Sequence, residues 1–169
     1  MFHERAQTLS DELFCTFLCE AENIVNSRPL TIDSLSDNSI EVLTPNHILT
    51  MKPKLIAPPP GTFGSADVYC RKRWRTVQYL AEQFWIRWKK EYLALLQTRQ
   101  KWNNPKRNFV IGDIVIMYDD SLPRNQWPLA RVVHVDHDDD GLVRSVELQT
   151  ADRSKYKRPI LKIVLLVEA

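Results

Sequence analysis

Carboxylates, thiols, imidazoles and cations decide what chemistry a chain can perform, and here their spacing keeps most of them apart. Glu20 and Glu22 lie two residues apart in a stretch of helical periodicity. On a helix they point to different faces, so they form no close pair for general acid and base work. Cys15 and Cys19 are four apart and share a helix face, but a structural zinc needs four ligands and no nearby His or Cys supplies the others. They read as small buried side chains. His134 and His137, in or just after a strand, fall on opposite faces. Asp138, Asp139 and Asp140 occupy a turn with no cradle around them, which suits a solvated turn better than a cation site. Neither a Gly-x-Ser-x-Gly elbow nor a Gly-rich phosphate loop occurs, and four glycines leave little room for one. Nothing in these patterns argues for an enzyme acting alone.

The cations are different. The net charge of 169 residues is only +2, but Cys70 to Arg107 holds 11 Lys/Arg against 2 Asp/Glu, a local balance of 11 − 2 = +9. The remainder therefore carries 2 − 9 = −7. A basic segment of this kind is the footprint of a polyanion binder, with a solvated helix face as the plain alternative. The candidate nucleic-acid contacts there are Arg71, Lys72, Arg73, Arg75, Arg87, Lys89 and Lys90. Further along, Arg131, Arg144, Arg153, Lys155, Lys157 and Arg158 add basic residues on or between strands. Trp127, Tyr118 or Tyr156, where exposed, would stack on bases or ribose. For Trp127, beside a loop and Pro128, core and surface readings stay open; Trp74, Phe84 and Trp88 read as core.

These residues need elements to hold them. Leu13, Phe14, Phe17, Leu18, Ala21, Ile24 and Val25 recur at three- and four-residue steps, with Thr8 or Ser10 as cap, Asp11 and Glu12 in the first turn, and Pro29 barring continuation beyond about Ser27. This amphipathic helix needs a body to pack on. Residues 29–64, with six prolines including Pro58-Pro59-Pro60, read as a stiff connector, in which Thr44-Pro45-Asn46 opens a short helical turn carrying His47, Ile48 and Leu49. Residues 66–102 read as one long helix. Its stripe is Val68, Trp74, Val77, Ala81, Phe84, Trp88, Tyr92 and Leu95, widened by Trp85 and Leu96. From Phe109 the period becomes two. Strands are expected over 113–118, 127–136, 142–150, 154–158 and 160–167, with Gly112-Asp113 leading into the first and Asp140-Gly141 at a hairpin tip. Five short strands in this length are best buried by curling into a small barrel. The fold class expected is thus α+β, with 1–31 a terminal helix, 32–64 the Pro-rich connector, 65–107 the basic amphipathic helix and 108–169 an SH3-like five-stranded β-barrel.

No apolar run approaches the roughly 18 residues of a membrane span, and no signal peptide opens the chain. Three cysteines without a CxxC suit a reducing compartment, so an intracellular protein is expected.

Several stretches together resemble the integrase of Pao/BEL-type LTR retrotransposons. Leu18-Cys19-Glu20-Ala21-Glu22-Asn23-Ile24-Val25-Asn26-Ser27-Arg28-Pro29-Leu30-Thr31 resembles the end of the catalytic core, and Leu43-Thr44-Pro45-Asn46-His47-Ile48-Leu49 the short motif after it. Trp74 through Trp102 resembles the helix that follows. Gly112-Asp113-Ile114-Val115, Trp127-Pro128-Leu129-Ala130-Arg131-Val132, Asp140-Gly141-Leu142-Val143-Arg144 and Arg158-Pro159-Ile160 resemble the C-terminal integrase-associated domain. The resemblance implies a DNA-binding and assembly module of DNA integration. The first helix would be a remnant of a ribonuclease H-like core. The metal-binding carboxylate triad would lie upstream, so the chain would carry no cofactor and no catalytic residue, and Glu20 and Glu22 would not be the catalytic Glu. Partners would be DNA, further integrase copies and a chromatin tether, in the nucleus or a cytoplasmic virus-like particle. Two alternatives are a chromatin-reading module with a methyl-lysine cage of Tyr118, Trp127 and Tyr156, drawing a basic tail through the acids of 136–140, and a decayed fragment without activity.

Overall fold

The computed structural model describes residues 10–32, 42–51, 58–69, 73–97, 107–119, 122–138 and 140–169. Helix α1 runs Asp11–Asn26, as the apolar spacing predicts. Its end is chemically specified: the Ser27 hydroxyl donates to Ile24 O at 2.7 Å, and Arg28 Nη1 donates at 2.9 Å to Val25 O, the carbonyl that Pro29 has no N–H to reach. Cys15 and Cys19 are exposed, contrary to the expectation of buried thiols. The connector holds more structure than its prolines suggest. Strands β1 (Thr31–Ile32) and β2 (Val42–Leu43) pair antiparallel, and α2 (Pro45–Thr50) follows. Helix α2 is capped by Thr44 and His47 reciprocally, with Pro45 opening it. Asn46 Nδ2 reaches Asn23 Oδ1 at 2.8 Å and pins α2 to α1.

The expected long helix is described in two parts. A 3₁₀ turn covers Ser65–Tyr69, and α3 runs Arg73–Leu96; the expected extension to 102 lies outside the described residues. Among the described residues no helix is long and apolar enough to cross a membrane. Val77, Ala81, Trp85, Lys89 and Leu93, each four residues apart, form the buried stripe. Trp74 and Leu95, assigned to the apolar stripe from spacing, are exposed. Ala81 and Trp85 pack on Ile24 of α1, and Leu93 packs on Ile116 and Val164 of the sheet.

The sheet contains β3 (Ile114–Met117), β4 (Leu129–His137), β5 (Val143–Thr150), β6 (Lys155–Pro159) and β7 (Ile163–Val167), all antiparallel in the order β6-β5-β4-β3-β7. The five expected strands are all present. The closed barrel is not: β6 and β7 remain the two edges of an open sheet. Register shifts at Val132/His134 and Asp136/His137 bend β4 over one core of Val115, Val132, Val146, Leu148 and Ile163. The opposite face of β3 and β7 meets α3, so β3 is covered on both sides and reads as an unbroken apolar run.

Gly112-Asp113 locks this unit. Gly112 has φ +103°, and a Cβ there would stand 2.9 Å from the Cβ of Ala169. The Asp113 carboxylate is fully buried and accepts from Val110 N at 2.9 Å, Ala169 N at 3.0 Å and Arg107 Nη2 at 3.1 Å. The turn therefore joins the start of the sheet to Ala169, two residues beyond the end of β7.

Candidate nucleic-acid interface

Register places the basic side chains. Ile114 pairs with Arg131, Arg131 with Gln149, and Gln149 with Lys155, so these residues share one face of the sheet. It is the face on which α3 packs, through Ile116 and Val164, over β3 and β7. The same face of β4, β5 and β6 stays uncovered beside the helix. Lys157, opposite Glu147, is on this face as well. Arg158 pairs with Val146 and Tyr156 with Leu148, so both project to the other side, yet both are exposed because β6 is an edge.

Several candidate cations are already engaged. Lys157 Nζ lies 2.7 Å from Asp136 Oδ2, which also accepts from the Ser145 hydroxyl at 2.8 Å, and His134 Nε2 is 3.4 Å from Asp136 Oδ1. Lys157 above all, then Ser145, holds the Asp136 carboxyl below its usual range, and Asp136 raises the Lys157 ammonium in turn. Arg144 Nε meets Asp138 at 2.7 Å and its Nη2 lies 3.9 Å from Asp140, so with Asp136 the three described acids of 136–140 all stand in internal ion pairs. Arg75 Nε meets Asp67 at 2.6 Å, with its guanidinium over the Phe63 and Trp74 rings. Arg87 pairs with Glu91, whose hydrogen bond raises its pKa; both side chains are largely exposed. Lys89 is only 8% exposed and donates to Asp119 O at 3.0 Å, with its ammonium 5.8 Å from the Trp85 ring centre. Its charge is used inside the fold rather than on the surface. Arg73, Lys90, Arg131, Lys155 and Arg158 are exposed and form no ion pair among the described residues. Arg71 and Lys72 lie outside the described residues.

Trp127 is turned inward. Its ring meets those of Trp85, Trp88 and Tyr92 edge-on at 5.1, 5.8 and 5.6 Å, and Trp88 stacks on Tyr92 at 5.0 Å. Burial raises the Tyr92 pKa. Of the two readings that the sequence left open for Trp127, the packed one describes its place: the ring joins the helices to the sheet. Tyr118, Trp127 and Tyr156 make no ring contact with one another among the described residues. A cleft of about 500 Å³ opens beside the cluster, lined by Glu82, Trp85, Ile86, Lys89, Lys90, Tyr118 and Leu122. Among the described residues no three His, Cys, Asp or Glu side chains come together as metal ligands.

Sequence reasoning missed Arg124. Its side chain is 2% exposed, and Nη2 donates to Glu20 Oε2 at 3.1 Å and Gln78 Oε1 at 2.7 Å. Gln78 Nε2 completes a triangle with Glu20 Oε1 at 3.0 Å. Beside it, Ser27 Oγ contacts Asn125 Oδ1 at 3.3 Å, and Asn125 takes φ +67°. This loop is the polar joint of α1, α3 and the sheet. Pro123, Arg124 and Asn125 have the composition of a turn, but no spacing ties residue 124 to residue 20.

Comparison with curated proteins and with solved structures yields no match. Residues 72–166, more than half of the chain, match the model of a family of unknown function, DUF5641, and the matched stretch takes in α3 and nearly the whole sheet. The chain belongs to the DUF5641 family.

Proposed function

We propose that this chain is a DNA-binding and assembly module of a Pao/BEL-type retrotransposon integrase, inactive on its own. The observation that carries the reading is the uncovered face of β4–β6 beside α3. Arg131 and Lys155 stand there on one row, Lys157 two residues further along β6, and the exposed Arg73, Arg87 and Lys90 lie on the neighbouring helix. Such a surface suits a phosphate backbone, which rewards cations placed by rigid elements. The strand order supports an SH3-like unit with unpaired edges: a meander whose last strand returns beside its first after a 3₁₀ turn at Ile160–Lys162. The quoted motifs support the integrase origin, since Asn23 and Asn46, which belong to two of them, are hydrogen-bonded to each other.

Fluorescence anisotropy of the full chain with a short duplex, across a salt series, tests the function. Binding is expected at low salt and weakens steeply as salt rises. Arg131→Gln and Lys155→Gln each reduce the log–log slope by about 1. A folded chain that binds no duplex at about 50 mM salt refutes the reading, because electrostatic binding is strongest there.

A further inference from the structure

The β5–β6 hairpin turns through Ala151, Asp152 and Arg153. Arg153 N donates to Thr150 O at 2.9 Å, and Thr150 N donates to Ser154 O at 3.0 Å. The Asp152 carboxylate accepts from the hydroxyls of Thr150 and Ser154, which fixes the turn. Arg153 closes it with φ +62°. That left-handed position is one a glycine or asparagine fills without strain. The adjoining β4–β5 hairpin uses Gly141 there, with φ +73°. The turn's own geometry therefore gives no reason for an arginine. Its side chain is exposed, and no ion pair among the described residues engages it. A non-glycine residue in a left-handed conformation, against local preference, points to a role outside the fold.

The strand behind it has an unusual charge arrangement. All five residues of β6 are exposed. Lys155 and Lys157 project from one face and Arg158 from the other. A protein segment with cations on both faces and a cation at its tip matches a cleft whose two walls are both anionic. The groove of a duplex is such a cleft. A sheet with its side chains is about 10 Å thick. The major groove is about 12 Å wide and the minor about 6 Å, so only the major groove admits this edge. Its depth of about 8.5 Å takes one strand, with β5 at the mouth, since strands are about 4.8 Å apart.

We infer that the β5–β6 hairpin enters the DNA major groove edge-first, with Lys155 and Lys157 toward one backbone, Arg158 toward the other and Arg153 reading guanine O6 and N7 at the floor. This rests on the DNA-binding reading above and adds a groove, an orientation and a base contact to it. Asp152 does not oppose it, because the hairpin from 150 to 159 carries four cations and one acid, 4 − 1 = +3.

The test compares the full-length wild type with Arg153→Gly and Arg153→Asn by anisotropy at fixed salt. The duplexes are a guanine-rich duplex, its 7-deazaguanine counterpart and an A·T duplex. The wild type is expected to favour the guanine duplex about tenfold over the A·T duplex, the size of one bidentate arginine–guanine contact, and to lose part of that preference on the 7-deaza form, which keeps O6 and lacks N7. Both variants are expected to bind all three duplexes alike, at a melting temperature no lower than wild type. Equal weakening on every duplex would make Arg153 a phosphate contact and overturn the base reading. Unchanged binding by both variants overturns the inference and leaves the proposed function standing. A wild type that binds no duplex overturns both. Displacement of the duplex by polyglutamate as readily as by unlabelled DNA would assign the edge to an acidic protein instead.

Discussion

Arg124→Ala should be among the most damaging substitutions outside the apolar core. The guanidinium is 2% exposed and the Glu20 carboxylate 26% exposed at its partner. Removing one member of a buried ion pair costs about 3–5 kcal/mol, chiefly because the other is left uncompensated. Glu20 is about a quarter exposed and regains some hydration, which discounts the cost to roughly 2–3 kcal/mol. For a chain of this size about 1 kcal/mol shifts the melting temperature by 2–4 °C, so a fall of roughly 4–12 °C is expected. Urea unfolding followed by tryptophan fluorescence is the assay, since Trp85, Trp88 and Trp127 sit at the same joint. Arg87→Gln is the control. Its pair with Glu91 is exposed on both sides and screened by solvent, so its loss should leave the stability nearly unchanged. Pairing Arg124→Ala with Glu20→Gln should recover more than about 1 kcal/mol, the signature of a direct contact. If Arg124→Ala costs no more than Arg87→Gln, the loop does not hold the helices to the sheet and the reasoning fails.

Two further outcomes follow from buried and hydrogen-bonded carboxylates. Asp113→Ala strips acceptors from Val110 N and Ala169 N and should cost about 2–4 kcal/mol, measured by the same urea titration; a loss under about 0.5 kcal/mol would show those donors solvated. Asp136 and Asp152 have folded pKa values lowered, by Lys157 and by Thr150 respectively. Their stabilisation is therefore fully present above the ordinary value of 3.8 and is lost as pH falls through the lower folded values. Carboxyl chemical shifts followed by NMR on acidification should give midpoints below that value, and midpoints at or above it would contradict the hydrogen bonds.

Local signals were legible in the sequence and long-range ones were not. Pro29 and Ser27 mark the end of α1, Thr44-Pro45 the start of α2, and the two-residue period the five strands, because each depends on neighbours in the chain. The helical period also selected most of the α3 stripe, but it placed Trp74 and Leu95 inside and left Lys89 outside. Periodicity records which side chains are apolar, whereas burial depends on what the helix meets. Lys89 is covered because Asp119 offers a carbonyl to its ammonium, a contact 30 residues away in the chain. Barrel closure failed for a similar reason. Five alternating strands demand a shared core, and a bent open sheet supplies one once α3 covers its second face at β3 and β7.

The candidate interface shows the same division more sharply. A count of cations finds a basic helix, yet cross-strand and helix contacts use Arg75, Lys89, Arg144 and Lys157 internally. What remains open to a partner shifts toward Arg131, Lys155 and Arg158 on the sheet and Arg73 and Lys90 on the helix. An engaged cation still contributes to the field around the protein, but binding through it must first break or share its ion pair. Lys157 is tied by both a hydrogen bond and charge to Asp136, so a phosphate displacing that carboxylate gains less than one meeting Lys155. Counterion release therefore counts fewer contacts than the basic composition suggests, and the salt slope should follow the open cations rather than the total.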